Sequence, residues 1–170
     1  NWTPFDPYWS EAKSARTRGR PTRRMSVEGH DKLLSIVVLE KHPDFVQPCS
    51  AADIEETLQK VPSGYLEGLE RVVVLSGTRK QARATRLFTY GCYTPGIVFL
   101  HSYPHSLMTA HYGKELKPST SREYQRAGAI VERRDGKTSV TFEDASLRRF
   151  YLYEVLLHEI GHHVDSRTFS

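Results

Sequence analysis

Apolar residues along this chain gather in several short runs and in one long periodic stretch near the C-terminal side. Residues 32–40 are apolar enough for a helix or a strand. Residues 50–61 read as a helix that Ser50 caps and that stops ahead of Pro62. The β-branched run at 71–75 predicts a strand. Residues 87–90 and 97–101 predict two more, on either side of a turn punctuated by glycine and proline. Residues 130–134 and 138–142 face each other across Asp135-Gly136, a dipeptide suited to a type I′ hairpin.

From Asp144 to Arg167 there is no proline, and the only glycine is Gly161. Asp144 is placed to cap a helix there. Tyr153, Leu156, Leu157, Ile160 and Val164 recur at spacings of three and four and form one apolar stripe, while Glu154, His158, Glu159, His162 and Asp165 share a polar one. A helix of roughly 20 residues spans about 30 Å, enough to floor a cleft in a small domain. No internal repeat is present. The pattern therefore predicts an α+β fold, with a small mixed or antiparallel sheet packed on helices and a C-terminal helix carrying the polar stripe.

Composition narrows this to one domain, because 170 residues at 38% hydrophobic content can enclose a single core. No run is long enough to cross a membrane, and no hydrophobic signal segment is present. The formal net charge of +4 is unevenly spread. Lys13, Arg16, Arg18, Arg20, Arg23 and Arg24 alternate with small and turn-forming residues, which reads as a flexible basic arm able to contact the phosphates of a nucleic acid. Upstream of it, Trp2, Phe5, Tyr8 and Trp9 form an aromatic cluster expected to dock on the body or on a partner. Residues 1–29 are thus expected to be an arm and residues 30–170 the domain. Cys49 and Cys92 are too few and too far apart for a disulfide framework and read as packed thiols, which favours a reducing cytosol.

The polar stripe contains His158-Glu159-Ile160-Gly161-His162, an HExxH sequence. Residues four apart on an α-helix are about 400° of rotation and about 6 Å of rise apart, so His158 and His162 project from one face and can grip one ion. Zinc is the metal that this pattern implies. Glu159 then reaches a metal-bound water and not the metal, the position of a general base in peptide hydrolysis. Glu154 and Asp165 are placed to support these ligands from behind. His163, about 100° around the helix from His162, reads as a packing or solvent-facing residue. No clear third ligand follows His162, so it is expected either from upstream or, the favoured reading, from a segment beyond a chain that stops so soon after its motif and reads as a fragment. His101, His105 and His111 read as members of a polar loop over the cleft, and Tyr90 and Tyr93 as packing residues.

Three segments, 61–69 (VPSGYLEGL), 90–97 (YGCYTPGI) and 158–165 (HEIGHHVD), together resemble the zincin metallopeptidases, and more narrowly the small gluzincin-like group that includes the catalytic domain of anthrax lethal factor. The resemblance implies a zinc endopeptidase with His158 and His162 as ligands and Glu159 as base. It also implies that a substrate peptide adds as a strand to a sheet edge above the metal, here around residues 93–100, with Tyr93, Gly96, Ile97 and Phe99 along it. That family's third ligand, a glutamate on a later helix, and its oxyanion-stabilising tyrosine or histidine have no matching position in the 170 residues. The other reading is a zinc-binding module without proteolytic activity, regulatory or associated with nucleic acid through its basic arm.

Overall fold

A computed structural model of the protein describes residues 20–82 and 89–168. The chain is α+β. Its main sheet is built from β1 (Arg23–Met25), β2 (Leu34–Val38), β4 (Arg71–Val74), β5 (Gly91–Thr94) and β6 (Ile97–Leu100), in the spatial order β1-β2-β4-β6-β5. The three central strands are mutually parallel, and β1 and β5 run antiparallel at the two edges. Alternation of apolar with polar residues is absent from the centre, because parallel strands are covered on both faces and read as unbroken apolar runs. Val72, Val74, Val98 and Leu100 face the helices, while Val37, Val73 and Phe99 belong to a second apolar cluster.

Local chemistry accounts for several elements. Helix α1, Ala51–Gln59, opens on Ser50, whose hydroxyl accepts from the Asp53 N–H at 3.1 Å while the Asp53 carboxylate accepts from the Ser50 N–H at 2.9 Å. The hairpin of β9, Ile130–Arg134, and β10, Lys137–Thr141, turns at Asp135 and Gly136, both with positive φ, as a type I′ turn requires. With β8, Thr109–Tyr112, they form a second, antiparallel sheet in the order β8-β10-β9. A two-residue strand β3, Phe45–Val46, pairs with β7, Tyr103–Pro104. Helix α2, Arg79–Ala82, follows β4, and α3, Pro118–Arg126, precedes the hairpin.

Of the strand expected at 87–90, residues 89 and 90 lie outside any strand, and a strand runs over Gly91–Thr94. Pro95 and Gly96, the latter at φ +80°, are the two corner residues of a tight turn, so its flanking strands are Gly91–Thr94 and Ile97–Leu100. Leu87 and Phe88 lie outside the described residues, as do Lys13, Arg16, Arg18 and the aromatic cluster from Trp2 to Trp9. The end of the expected arm is part of the body. Arg23 and Arg24 sit in β1, paired in register with Ile36 and Ser35, and the Arg23 guanidinium bonds the Glu55 carboxylate of α1. Arg20 and Arg24 are exposed.

The last helical stretch runs unbroken from Asp144 to Thr168 in three forms: α4, Asp144–Arg149, a π-helical segment, Phe150–Leu156, and α5, Leu157–Thr168. Glu143 and not Asp144 takes the cap position, and the Ser146 hydroxyl accepts from its N–H at 2.9 Å. The π segment changes which side chains are buried. Its i→i+5 bonding takes more residues per turn than an α-helix, so the stripe projected at α spacing slips out of phase upstream of Leu156. Tyr153, expected on the buried stripe, is 48% exposed, while the neighbours Phe150, Tyr151 and Leu152 are buried. Phe150 centres an aromatic cluster, with ring centroids 4.9 Å from Tyr90, 5.2 Å from Tyr124 and 5.4 Å from Phe142. The Tyr90 hydroxyl lies 2.8 Å from that of Tyr124, so Tyr90 packs as expected.

The expected loop of histidines is divided among ordered elements. His101 closes β6 and is buried, whereas His105 lies in an exposed turn and His111 on the exposed face of β8. Burial holds the His101 imidazole down to about 4. Between about pH 6.5 and 4 the unfolded chain therefore binds a proton at this site that the folded chain does not. Stability is complete above that window and falls as the pH drops through it, by about 3 kcal/mol from this group. Denaturant unfolding at pH 7 and pH 5 should show the loss, and His101→Gln should flatten the difference. An equal pH slope in the two proteins would assign the effect elsewhere.

Candidate metal centre

Both motif histidines stand on the exposed face of α5. Their Nε2 atoms lie 3.1 Å apart, with ring centroids at 4.6 Å and ring planes 88° apart. Two imidazole nitrogens converge at that separation either by sharing a proton or by facing a common cation. For one tetrahedral zinc with Zn–N of about 2.0–2.1 Å, two ligand nitrogens sit roughly 3.3 Å apart. The pair thus fits two of the protein ligands of such an ion. Among the described residues no set of three His, Cys, Asp or Glu side chains gathers into a metal-holding group.

Glu159, about 100° around the helix from His158 and about 60° from His162, is 7% exposed and packs toward β5. A side-chain carbon on Gly91 would come within 3.2 Å of the Glu159 Cγ, 2.8 Å of the Val155 Cγ1 and 3.1 Å of the Phe99 carbonyl oxygen. The helix therefore rests directly on the backbone of the strand. Burial pushes the Glu159 carboxyl above its ordinary range, and the imidazoles of His158 and His162 oppose that shift. A carboxyl raised by burial is a better proton acceptor once ionised than one in water.

β5 is the sheet edge that the sequence placed at residues 93–100. β6 is hydrogen-bonded on both sides, so Ile97 and Phe99 are interior and Gly96 occupies the turn. The Tyr90 carbonyl accepts from the His101 N–H at 2.9 Å, which sets the alternation of the β5–β6 ladder. Gly91 and Tyr93 are then the residues whose main-chain N–H and C=O point away from β6. No described strand lies on that side.

His163 is buried and links three elements. Its Nε2 is 2.7 Å from the Glu67 carbonyl and its Nδ1 is 2.9 Å from the Tyr93 hydroxyl. A carbonyl can only accept, so Nε2 carries a proton, and in the neutral ring Nδ1 then accepts from the Tyr93 hydroxyl. Burial lowers the proton affinity of the ring and so favours its neutral form, against the opposing pull of the Glu67 carbonyl. Of the two supporting carboxylates expected from the sequence, Glu154 receives a bidentate Arg126 at 3.1 and 3.0 Å, and Asp165 is exposed. Neither is brought into a metal-holding group with the pair. The signals for Gly91 and His163 were present but weak: a glycine beside a strand marks close backbone approach, and His163 follows Leu156 and Ile160 at helical spacing.

Cys49 and Cys92 are both buried, and burial raises the Cys49 thiol to about 12, so it is a packed and unreactive group. No helix among the described residues is long and apolar enough to cross a membrane. Comparison of the chain with protein-family models, with curated proteins and with solved structures finds no match.

Proposed function

We propose that this chain carries the catalytic helix of a zinc-dependent endopeptidase. The observation that carries the reading is the convergence of the His158 and His162 Nε2 atoms at 3.1 Å, with buried Glu159 next in sequence and packed over Gly91 of β5, the edge strand among the described residues. His158 and His162 would hold the ion. When bound, zinc supplies a Lewis acid that polarises the scissile carbonyl and acidifies water to a pKa of about 7.

The remaining work falls to the chain itself. Glu159 takes a proton from the attacking water at its carboxylate and returns it to the leaving amine nitrogen. The main-chain N–H and C=O groups of Gly91 and Tyr93 pair with an extended peptide and align it along β5. Because Gly91 has no side chain, the peptide, the strand and the base can approach one another closely.

Elemental analysis of the purified chain, run beside cleavage of a peptide library, tests the reading. Zinc bound in stoichiometric amount, cleavage lost on chelation and cleavage restored by added zinc are expected. Chelation should also lower the melting temperature, since an ion bound only by the folded chain stabilises it. A protein that takes up no zinc at micromolar concentrations is incompatible with this function.

A further inference from the structure

Helix α5 and strand β5 meet at two points whose spacing matches. Gly91 and Tyr93 are two residues apart on one face of the strand, about 6.8 Å, and Glu159 and His163 are four apart on the helix, about 6 Å. Gly91 lies under Glu159 and Tyr93 under His163. At the first point the contact is steric, and at the second it is a hydrogen bond that only one orientation of the helix satisfies.

That second contact is itself braced. The Gly96 N–H lies 3.3 Å from the Tyr93 oxygen, so the turn after β5 holds the phenol. The Glu67 carbonyl accepts from both His163 and the Arg167 guanidinium, each at 2.7 Å, and Arg167 also reaches the Gly64 carbonyl at 2.8 Å. Gly68, at φ +78°, shapes the turn that presents this carbonyl. The loop at residues 63–68, the edge strand and the helix are thereby tied together one helical turn beyond Glu159.

We propose that Tyr93 and His163 are positioning residues for the metal centre. Their hydrogen bond fixes the rotation and height of α5 against β5, and so fixes where His158, His162 and Glu159 stand relative to a peptide on that edge strand. This rests on the reading given under Proposed function. Neither residue touches the reacting atoms. Tyr93 has a second part in the site through its main chain, which Tyr93→Phe leaves intact, so loss of the hydroxyl should act on kcat and metal affinity and spare KM.

The test compares the wild-type chain with Tyr93→Phe, His163→Gln and the double variant. In the metal-free proteins, ring-nitrogen NMR should show the Nε2–H tautomer of His163 in the wild type and displaced His158 and His162 ring signals in Tyr93→Phe. Zinc affinity, measured by chelator competition, should fall by at least about tenfold in each single variant, as when groups that orient metal ligands are removed. The double variant should lose less than the sum of the two single ones, because the Tyr93–His163 bond is common to both, while the 3.1 Å contact of the Tyr93 hydroxyl with Ser166 is lost only with Tyr93 and the Glu67 bond only with His163. Superimposable His158 and His162 signals and unchanged zinc affinity in Tyr93→Phe would overturn the positioning role while leaving the peptidase reading intact. Failure of the wild type to bind zinc removes that reading, and the metal-free spectra still decide whether the bond orients the histidines.

Discussion

Glu159→Gln is expected to reduce peptide hydrolysis by roughly 10²- to 10⁴-fold with zinc still bound, the range associated with loss of a positioned general base. Glutamine keeps the length and volume of the side chain, so the packing over Gly91 is preserved. It cannot take a proton from water. His158 and His162 keep their facing nitrogens, and zinc stoichiometry should match the wild type. The loss should appear in kcat, because the carboxylate acts as the water attacks and not in holding the peptide. The two functional readings separate here. A zinc-binding module without proteolytic activity has no hydrolysis to lose, and a variant that cleaves peptides at the wild-type rate excludes Glu159 as the base.

Gly91→Ala is expected to have the second largest effect, through geometry alone. The added carbon would stand 2.8 Å from the Val155 Cγ1 and 3.1 Å from the Phe99 carbonyl oxygen. Val155 is buried and β-branched, with little rotamer freedom to turn away. The Phe99 oxygen belongs to the backbone of an interior strand. The helix must therefore lift from the strand, at about 1–3 kcal/mol of stability. Activity should fall further than stability, by about 100-fold if the base is displaced by about 1 Å. Denaturant unfolding and kcat measured on the same preparations check both parts. Val155→Ala added to Gly91→Ala removes the nearest obstacle and should recover some stability; no change in stability on Gly91→Ala alone would mean that strand and helix are less tightly apposed.

The features legible in the sequence are those set by neighbours a few residues away. The pairing of His158 with His162 depends on helical pitch alone, and a helix there was plain from 24 residues without proline. Ser50 with Asp53, and Asp135 with Gly136, are equally local devices, and each folds as its side-chain chemistry dictates. The π segment was not legible. It holds no glycine or proline to mark a departure from α geometry, and the exposure of Tyr153 follows from accommodating Phe150 and Tyr151 in a cluster with residues 26 to 61 positions away in sequence, such as Tyr90 and Tyr124. Arg23 and Arg24 looked like tail because alternating basic and small residues carry no strand signal; β2 supplied the missing partner.

What the amino-acid order determined by itself was the chemistry: two imidazoles and a carboxylate on one helix, and turns whose glycines permit positive φ. Helical pitch and backbone sterics act within a few residues, so they can be read without knowing what lies nearby in space. Tertiary structure alone decided which strand is the sheet edge among the described residues, why residue 91 has no side chain, and that His163 bridges Tyr93 and Glu67. Those outcomes depend on contacts spanning 70 and 96 positions. No local pattern encodes them, because the free energy of such a contact exists only once the strand, the loop and the helix have been brought together.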